Sequence, residues 1–464
     1  MRIKNLFLSL TLVLVLIPAG AHANGLLDRL LISLVTRHER GSRFCTRAPG
    51  ARFELGKRVQ VPVDYNNPKK GLTSVYSWTY EPFNPMKPTI LFFEGGPGGS
   101  SRGKDFNLPN FNIIHLDQRG IACSQAETKK QHKDHNYYSS ISTARDADEI
   151  RKAYKIDKLT VYGSSYGTVP ATIYGSLFAA NTRAVILEGV VFQSNTEHWR
   201  DEATLRIAQK IYNNLSQLDK DTIGQMNRQD PHAFSDLINQ LMYLDDAEEN
   251  LKKLLDMYRS EAQHKKSNKP DDEGSNMYLS VQAFRMINCK EFGMLTAPGR
   301  DIIVLPTGKL VYDNSKQRSP ARFCKGTGIK QRIAEIFNYD ATNFPLYVPT
   351  IYFQGARDGA TPGGDAVRHY KQVAKSQKQI FIMPNGGHGP NFYRIAASID
   401  FVSGERKDYF ATPLRMPEAR AQRAIFSKAA MGEMIGQELI DEFNRVSKNP
   451  WVYSNRRSDE TQWH

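Results

Sequence analysis

The chain has 464 residues, with 62 Lys and Arg against 48 Asp and Glu, for a formal net charge of +14. A hydrophobic share of 40% with 10% aromatics can build a substantial core and excludes a mostly disordered chain. At roughly 150 residues per unit, the length fits about three domains or one large domain with an insertion, and the charge raises the question of an anionic partner.

Residues 1–23 read as a secretion signal. Arg2 and Lys4 open it, Leu6–Ile17 is an apolar run, and Ala21-His22-Ala23 puts small residues at the cleavage positions. The run has 12 residues, well short of a bilayer span. The expected mature chain starts at Asn24, is exported to the periplasm or the cell exterior, and has no integral span. Residues 24–57 form a basic arm carrying Arg29, Arg37, Arg40, Arg43, Arg47 and Arg52, suited to an anionic envelope surface. Export makes disulfides the natural state of the four cysteines, and Cys45–Cys123 and Cys289–Cys324 keep each pair within one region.

From residue 58 the pattern changes to strands. Arg58–Tyr65 alternates, Thr73–Tyr80 is rich in β-branched and aromatic residues, and Thr89–Phe93 and Phe111–Leu116 are short apolar runs. Thr143–Tyr154 has helical spacing, with Ala147, Ile150 and Tyr154 on one face. A strand at Leu159–Tyr162, a helix through Ile173 and Leu177, and a strand at Ala184–Leu187 follow. Such alternation predicts an α/β fold, a mostly parallel sheet flanked by helices. Residues 193–340 read as helices, among them Ala203–Leu215 and Asp246–Tyr258, and so as an insertion between core segments 58–192 and 341–411. The second segment supplies strands at Pro349–Phe353 and Gln379–Met383. Residues 412–464 read as a helical tail including Glu433–Val446.

Gly163-Ser164-Ser165-Tyr166-Gly167 fits G-x-S-x-G between a strand and a helix, the setting of a nucleophile elbow. Serine needs a base to take its proton. His388, in Asn385-Gly386-Gly387-His388-Gly389 after a late strand, has the right setting. His115 lies inside a strand and reads as packed. The base needs an acid to hold its tautomer, and Asp358 follows the strand Pro349–Phe353, with Asp365 as a substitute. The order Ser165, Asp358, His388 is that of α/β-hydrolases. An oxyanion hole would use the N–H of Tyr166 and a second donor from Glu94-Gly95-Gly96-Pro97-Gly98-Gly99, at Gly96 with Gly95 as the alternative.

With these segments in hand, the chain resembles the proline iminopeptidase and tripeptidyl aminopeptidase branch of the α/β-hydrolases. The resemblance rests on Gly95-Gly96-Pro97-Gly98, Asp117-Gln118-Arg119-Gly120, Gly163-Ser164-Ser165-Tyr166-Gly167-Thr168 and Gly386-Gly387-His388, with Val61-Pro62-Val63-Asp64-Tyr65 similar to the opening strand of secreted members. It spans about Cys45 to Ser403. It implies an α/β-hydrolase fold, an inserted helical cap over the active site, and release of residues from peptide amino termini. Glu94 stands where iminopeptidases often have histidine, and Ile121-Ala122-Cys123 replaces the usual Thr-Gly pair.

An aminopeptidase must hold a free ammonium group, which calls for a carboxylate near the nucleophile. Glu188 and Glu197 are the candidates, with Asp201 and Glu94 behind them. The expected protein is therefore an exported serine aminopeptidase acting on peptides with free amino termini. The alternative is an esterase or other acyl hydrolase on the same triad, and the third choice is a non-catalytic binding protein. A zinc site is disfavoured because no C-x-x-C or H-x-x-x-H spacing is present, and nothing in the sequence suggests a cofactor or another metal. Residues 193–340 carry 21 basic and 21 acidic side chains, so the region over the site is not a basic surface and no nucleic-acid partner is expected.

Overall fold

The computed structural model describes residues 55–100, 108–193, 202–262, 280–313, 319–388, 416–447 and 452–454. The expected signal and nearly all of the expected basic arm lie outside the described residues, as do Cys45, Glu197 and Asp201.

Among the described residues nine strands form one sheet, in the order β1-β2-β4-β3-β5-β6-β9-β10-β11. They are β1 (Lys57–Pro62), β2 (Leu72–Trp78), β3 (Thr89–Phe93), β4 (Asn112–Asp117), β5 (Leu159–Ser164), β6 (Thr182–Glu188), β9 (Thr350–Gly355), β10 (Lys378–Met383) and β11 (Val452–Ser454). The run from β4 through β3, β5, β6 and β9 to β10 is parallel. β1 and β2 at one edge and β11 at the other pair antiparallel. The parallel strands are apolar throughout because both faces are covered. Period-two alternation divides them: Leu91, Val161 and Tyr352 face one core, while Phe92, Tyr162 and Phe353 face the other.

The first face is covered by helices Ser140–Ala153, Thr168–Leu177 and Gly363–Gln372. The second is covered by helices Met416–Met431 and Gln437–Val446. There Phe426 packs against Tyr162 at 5.3 Å and Phe353 at 5.0 Å between ring centroids. Here the structure departs from the expected helical tail. These helices close the second face of the sheet, burying the apolar row of Phe92, Tyr162, Phe353 and Phe381 that would otherwise face solvent, and β11 extends the sheet.

Between β6 and β9 lies the expected mainly helical stretch. Helices Glu202–Asn213, Gln217–Gln229, Ala233–Leu241 and Ala247–Ala262 build a core of their own with a small hairpin, β7 (Ile302–Val304) and β8 (Leu310–Tyr312). Helix Val281–Glu291 and residues 292–297 and 324–339 pack instead with the sheet's first face. Cys289 and Cys324 form a disulfide there, the second of the two expected pairings. Among the described residues no helix is long and apolar enough to cross a membrane.

Candidate active site

β5 ends at Ser164, and Ser165 begins the turn into helix Thr168–Leu177 with a φ of +56°. A side chain forced into the left-handed region is strained, and such strain persists only where packing over-determines it. Here the flanking glycines allow that packing. A Cβ on Gly163 would fall 2.2 Å from the Gly167 carbonyl oxygen, and one on Gly167 would fall 2.1 Å from that of Phe93. The turn thus folds directly against itself and β3. It leaves Ser165 partly exposed at the carboxyl edge of the sheet.

The expected acid and base follow β9 and β10, which lie beyond β6 in the sheet. Asp358 follows β9, is fully buried, and its Oδ2 lies 2.7 Å from His388 Nδ1. The carboxylate holds its position through other donors. Oδ1 accepts from the Ala360 and Thr361 N–H groups at 2.8 and 2.9 Å, and Oδ2 from Thr361 Oγ1 at 2.7 Å and Gln354 Nε2 at 3.1 Å. An ionised carboxylate only accepts, so this contact puts the proton on Nδ1 and leaves Nε2 as the basic nitrogen. Asp365, the substitute acid, pairs with Arg368 instead. The backbone N–H of His388 donates to the Tyr243 carbonyl at 3.0 Å, the Tyr243 ring meets the imidazole edge-on at 5.2 Å, and Gly189 leaves room beside it. Partial burial pushes the Tyr243 hydroxyl up to about 12, Arg300 acting in the opposite sense.

A cleft of about 730 Å³, open to solvent, is lined by Ser165, Tyr166, Gly96, Pro97 and Gly359–Thr361 from the sheet edge. The other wall comes from the inserted stretch, including Asn239, Tyr243, Phe284, Asn288, Phe292, Arg300 and Tyr312. The two expected oxyanion donors, Gly96 and Tyr166, both line it. Gly95 is the weaker choice, because its N–H already donates to Glu94 Oε1 at 2.9 Å. Gln118 steadies this loop by donating to the Glu94 carbonyl at 2.8 Å. Its neighbour Arg119 is buried and bidentate to Asp146, at 2.6 and 2.8 Å. It also donates to the carbonyls of Val63 and Pro62, so this motif braces the loop's support rather than the cleft.

The amine-binding expectation needs correcting at Glu188. Its side chain is fully buried and bonded to the Tyr162 hydroxyl, on the sheet face covered by Phe426. Glu188 does not line the cleft, because its place in β6 gives it the same facing as Ile186. Glu94 is engaged within its own loop, and Glu197 and Asp201 lie outside the described residues. His115 is packed as expected, stacked on Trp78 at 4.3 Å. The sequence reading missed Gln354, Thr361, Gly189, Tyr243 and Arg300. A glycine directly after β6 and a threonine three residues beyond Asp358 were visible signals for two of them.

A family model described as alpha/beta hydrolase fold matches residues 88–394. The tripeptidyl aminopeptidase of Streptomyces lividans is 41% identical over a match covering 31% of this chain and 34% of its own. The proline iminopeptidase of Neisseria gonorrhoeae is 27% identical over 26% of this chain and 38% of its own. This chain spans about two fifths or less of the length of the curated relatives it matches. Among solved structures, the proline iminopeptidase of Mycobacterium smegmatis superposes with a TM-score of 0.40 at 10% identity, covering 75% of this chain and 97% of that one. An esterase from Thermogutta terrifontis superposes with a TM-score of 0.37 at 13% identity, covering 76% and 100%.

Proposed function

This chain belongs to the alpha/beta hydrolase fold family, and from that premise we propose that it is an exported serine aminopeptidase, with Ser165 as nucleophile, His388 as base and Asp358 as its orienting acid. The observation that carries the reading is the 2.7 Å Asp358–His388 contact at the same strand edge as the strained, cleft-lining Ser165.

The steps follow from these groups. His388 Nε2 takes the Ser165 hydroxyl proton as Oγ attacks the substrate carbonyl carbon. The N–H groups of Gly96 and Tyr166 receive the oxyanion, in a cleft where such donors need no reorganisation. The intermediate collapses as His388 returns the proton to the leaving amine, and the C–N bond breaks. Water, deprotonated by His388, then cleaves the acyl-enzyme ester. For the substrate ammonium we propose Glu197, the other leading carboxylate candidate in the sequence. Export is supported by the 1–23 segment and by the Cys289–Cys324 disulfide, a bond that persists in oxidising compartments.

A fluorophosphonate probe tests the nucleophile: labelling is expected in the wild type and lost in Ser165→Ala. Labelling that survives the substitution removes the assignment. Peptide arylamides with free amino termini should be cleaved and their N-acetylated forms spared. Equal cleavage of both, or cleavage of short esters alone, would replace the aminopeptidase reading with an acyl-hydrolase one.

A further inference from the structure

The wall of the cleft contributed by the inserted stretch holds a cation with no hydrogen-bond or ion-pair partner among the described residues. Arg300 lines the cleft with Ser165 and is half-buried. Among the described residues its guanidinium makes no hydrogen bond and no ion pair. The chain around it is firmly held. The next residue, Asp301, sends its carboxylate to His232 Nδ1 at 3.4 Å, and its carbonyl accepts from the Asp313 N–H at 2.7 Å. The Ile302 N–H donates to Ser235 Oγ at 2.9 Å. The neighbouring acid therefore points to His232, and the guanidinium faces the cleft.

The other acidic groups around the site are occupied too. Asp358 is bonded to His388, Glu94 to the Gly95 N–H, Glu188 to Tyr162 and Glu291 to Ser140. No carboxylate lines the cleft among the described residues, while Asn239, Asn288 and Tyr312 add neutral polar groups to the same lining. A partly desolvated, unpaired arginine on a fixed backbone is unfavourable by itself and becomes favourable when an anion fills its planar fork. Carboxylate is the anion that matches both this geometry and an acyl-transfer substrate.

We propose that Arg300 is a carboxylate-binding subsite, so that preferred substrates carry a carboxylate within the cleft, either a peptide's free carboxyl terminus or an acidic side chain. The proposal rests on the reading of this cleft as the acyl-transfer site of a serine hydrolase. It makes Arg300 a specificity determinant, holding the far end of the substrate while Ser165 attacks the carbonyl.

The test uses the full mature protein and reads kcat/KM ratios within matched pairs. Di-, tri- and tetrapeptides are compared as free acids and as carboxyl-terminal amides, and amidated peptides are compared with Glu against Gln at each position. The first series reads a terminal carboxylate and the second a side-chain one. The wild type should favour the charged member of at least one series by about tenfold or more. In Arg300→Gln that ratio should collapse towards one, and Arg300→Lys should keep part of it. Fluorophosphonate labelling of Ser165 in each variant verifies a folded site. A p-nitrophenyl glutarate and p-nitrophenyl valerate pair is run alongside. If no peptide is cleaved but the glutarate is preferred and the preference needs Arg300, the aminopeptidase reading fails and the subsite stands. A wild-type ratio near one in every pair, or a preference unchanged in Arg300→Gln, overturns the subsite.

Discussion

Asp358 and His388 leave neighbouring parallel strands, β9 and β10, and meet through Oδ2 and Nδ1 at 2.7 Å, with the acid fully buried. The relationship fixes which imidazole nitrogen carries the proton. Asp358→Asn would offer an amide N–H where Nδ1 now finds an acceptor, favouring the tautomer with its proton on Nε2. That form cannot take the proton of Ser165. We expect kcat to fall by about 10⁴-fold with little change in KM. Steady-state kinetics on the best arylamide measures this, and a loss below tenfold would remove Asp358 from the triad.

Gly189 follows β6 with a φ of +62°, and a Cβ there would lie 2.8 Å from His388 Cε1. Gly189→Ala should therefore displace the imidazole as well as strain the backbone. The strain costs about 1–2 kcal/mol of stability. The displacement should cost on the order of 10²-fold in kcat. Thermal unfolding and kinetics separate the two, and unchanged kcat in a folded variant would contradict the close approach.

Glu188 and Glu197 make opposite predictions. Glu188→Gln alters a buried bond to Tyr162, so it should lower stability by about 1–3 kcal/mol while preserving the preference for free over acetylated amino termini. Glu197→Gln should erase that preference with stability intact. Both substitutions are read by the same pair of substrates and a denaturant titration. Loss of the preference in Glu188→Gln alone would return the amine role to Glu188.

His369 gives the fold a pH dependence of its own. It is fully buried between the Tyr352 hydroxyl at 2.9 Å and Thr172 Oγ1 at 3.1 Å. Burial pushes its imidazole down from 6.5 to about 3. The unfolded chain thus takes the proton first, so stability is present above about pH 6.5 and is lost progressively as pH falls towards 3. The loss amounts to at most about 1.4 kcal/mol per pH unit. Urea titrations between these limits should show a shallower pH slope in His369→Gln than in the wild type. Parallel slopes would mean that His369 does not carry the acid sensitivity.

The sequence by itself determined the parts whose chemistry is local. Ser165, Asp358 and His388 each follow a short apolar strand and sit in a small turn, and a nucleophile elbow needs glycine and serine at set spacing because backbone approaches within it are so close. The alternation of strands and helices likewise declared a parallel sheet. Contacts between distant segments were decided only in three dimensions. Glu188 lies at a strand's end, where its facing follows the sheet alternation, and that turned it to Tyr162 instead of the cleft. β11 is three residues long, too short for any periodic signal, yet it extends the sheet by pairing with β10. Arg300 was one of 21 basic residues in a neutral insertion. Its open guanidinium follows from Asp301 finding His232 and from the fold bringing that hairpin over Ser165, neither of which a local pattern can encode.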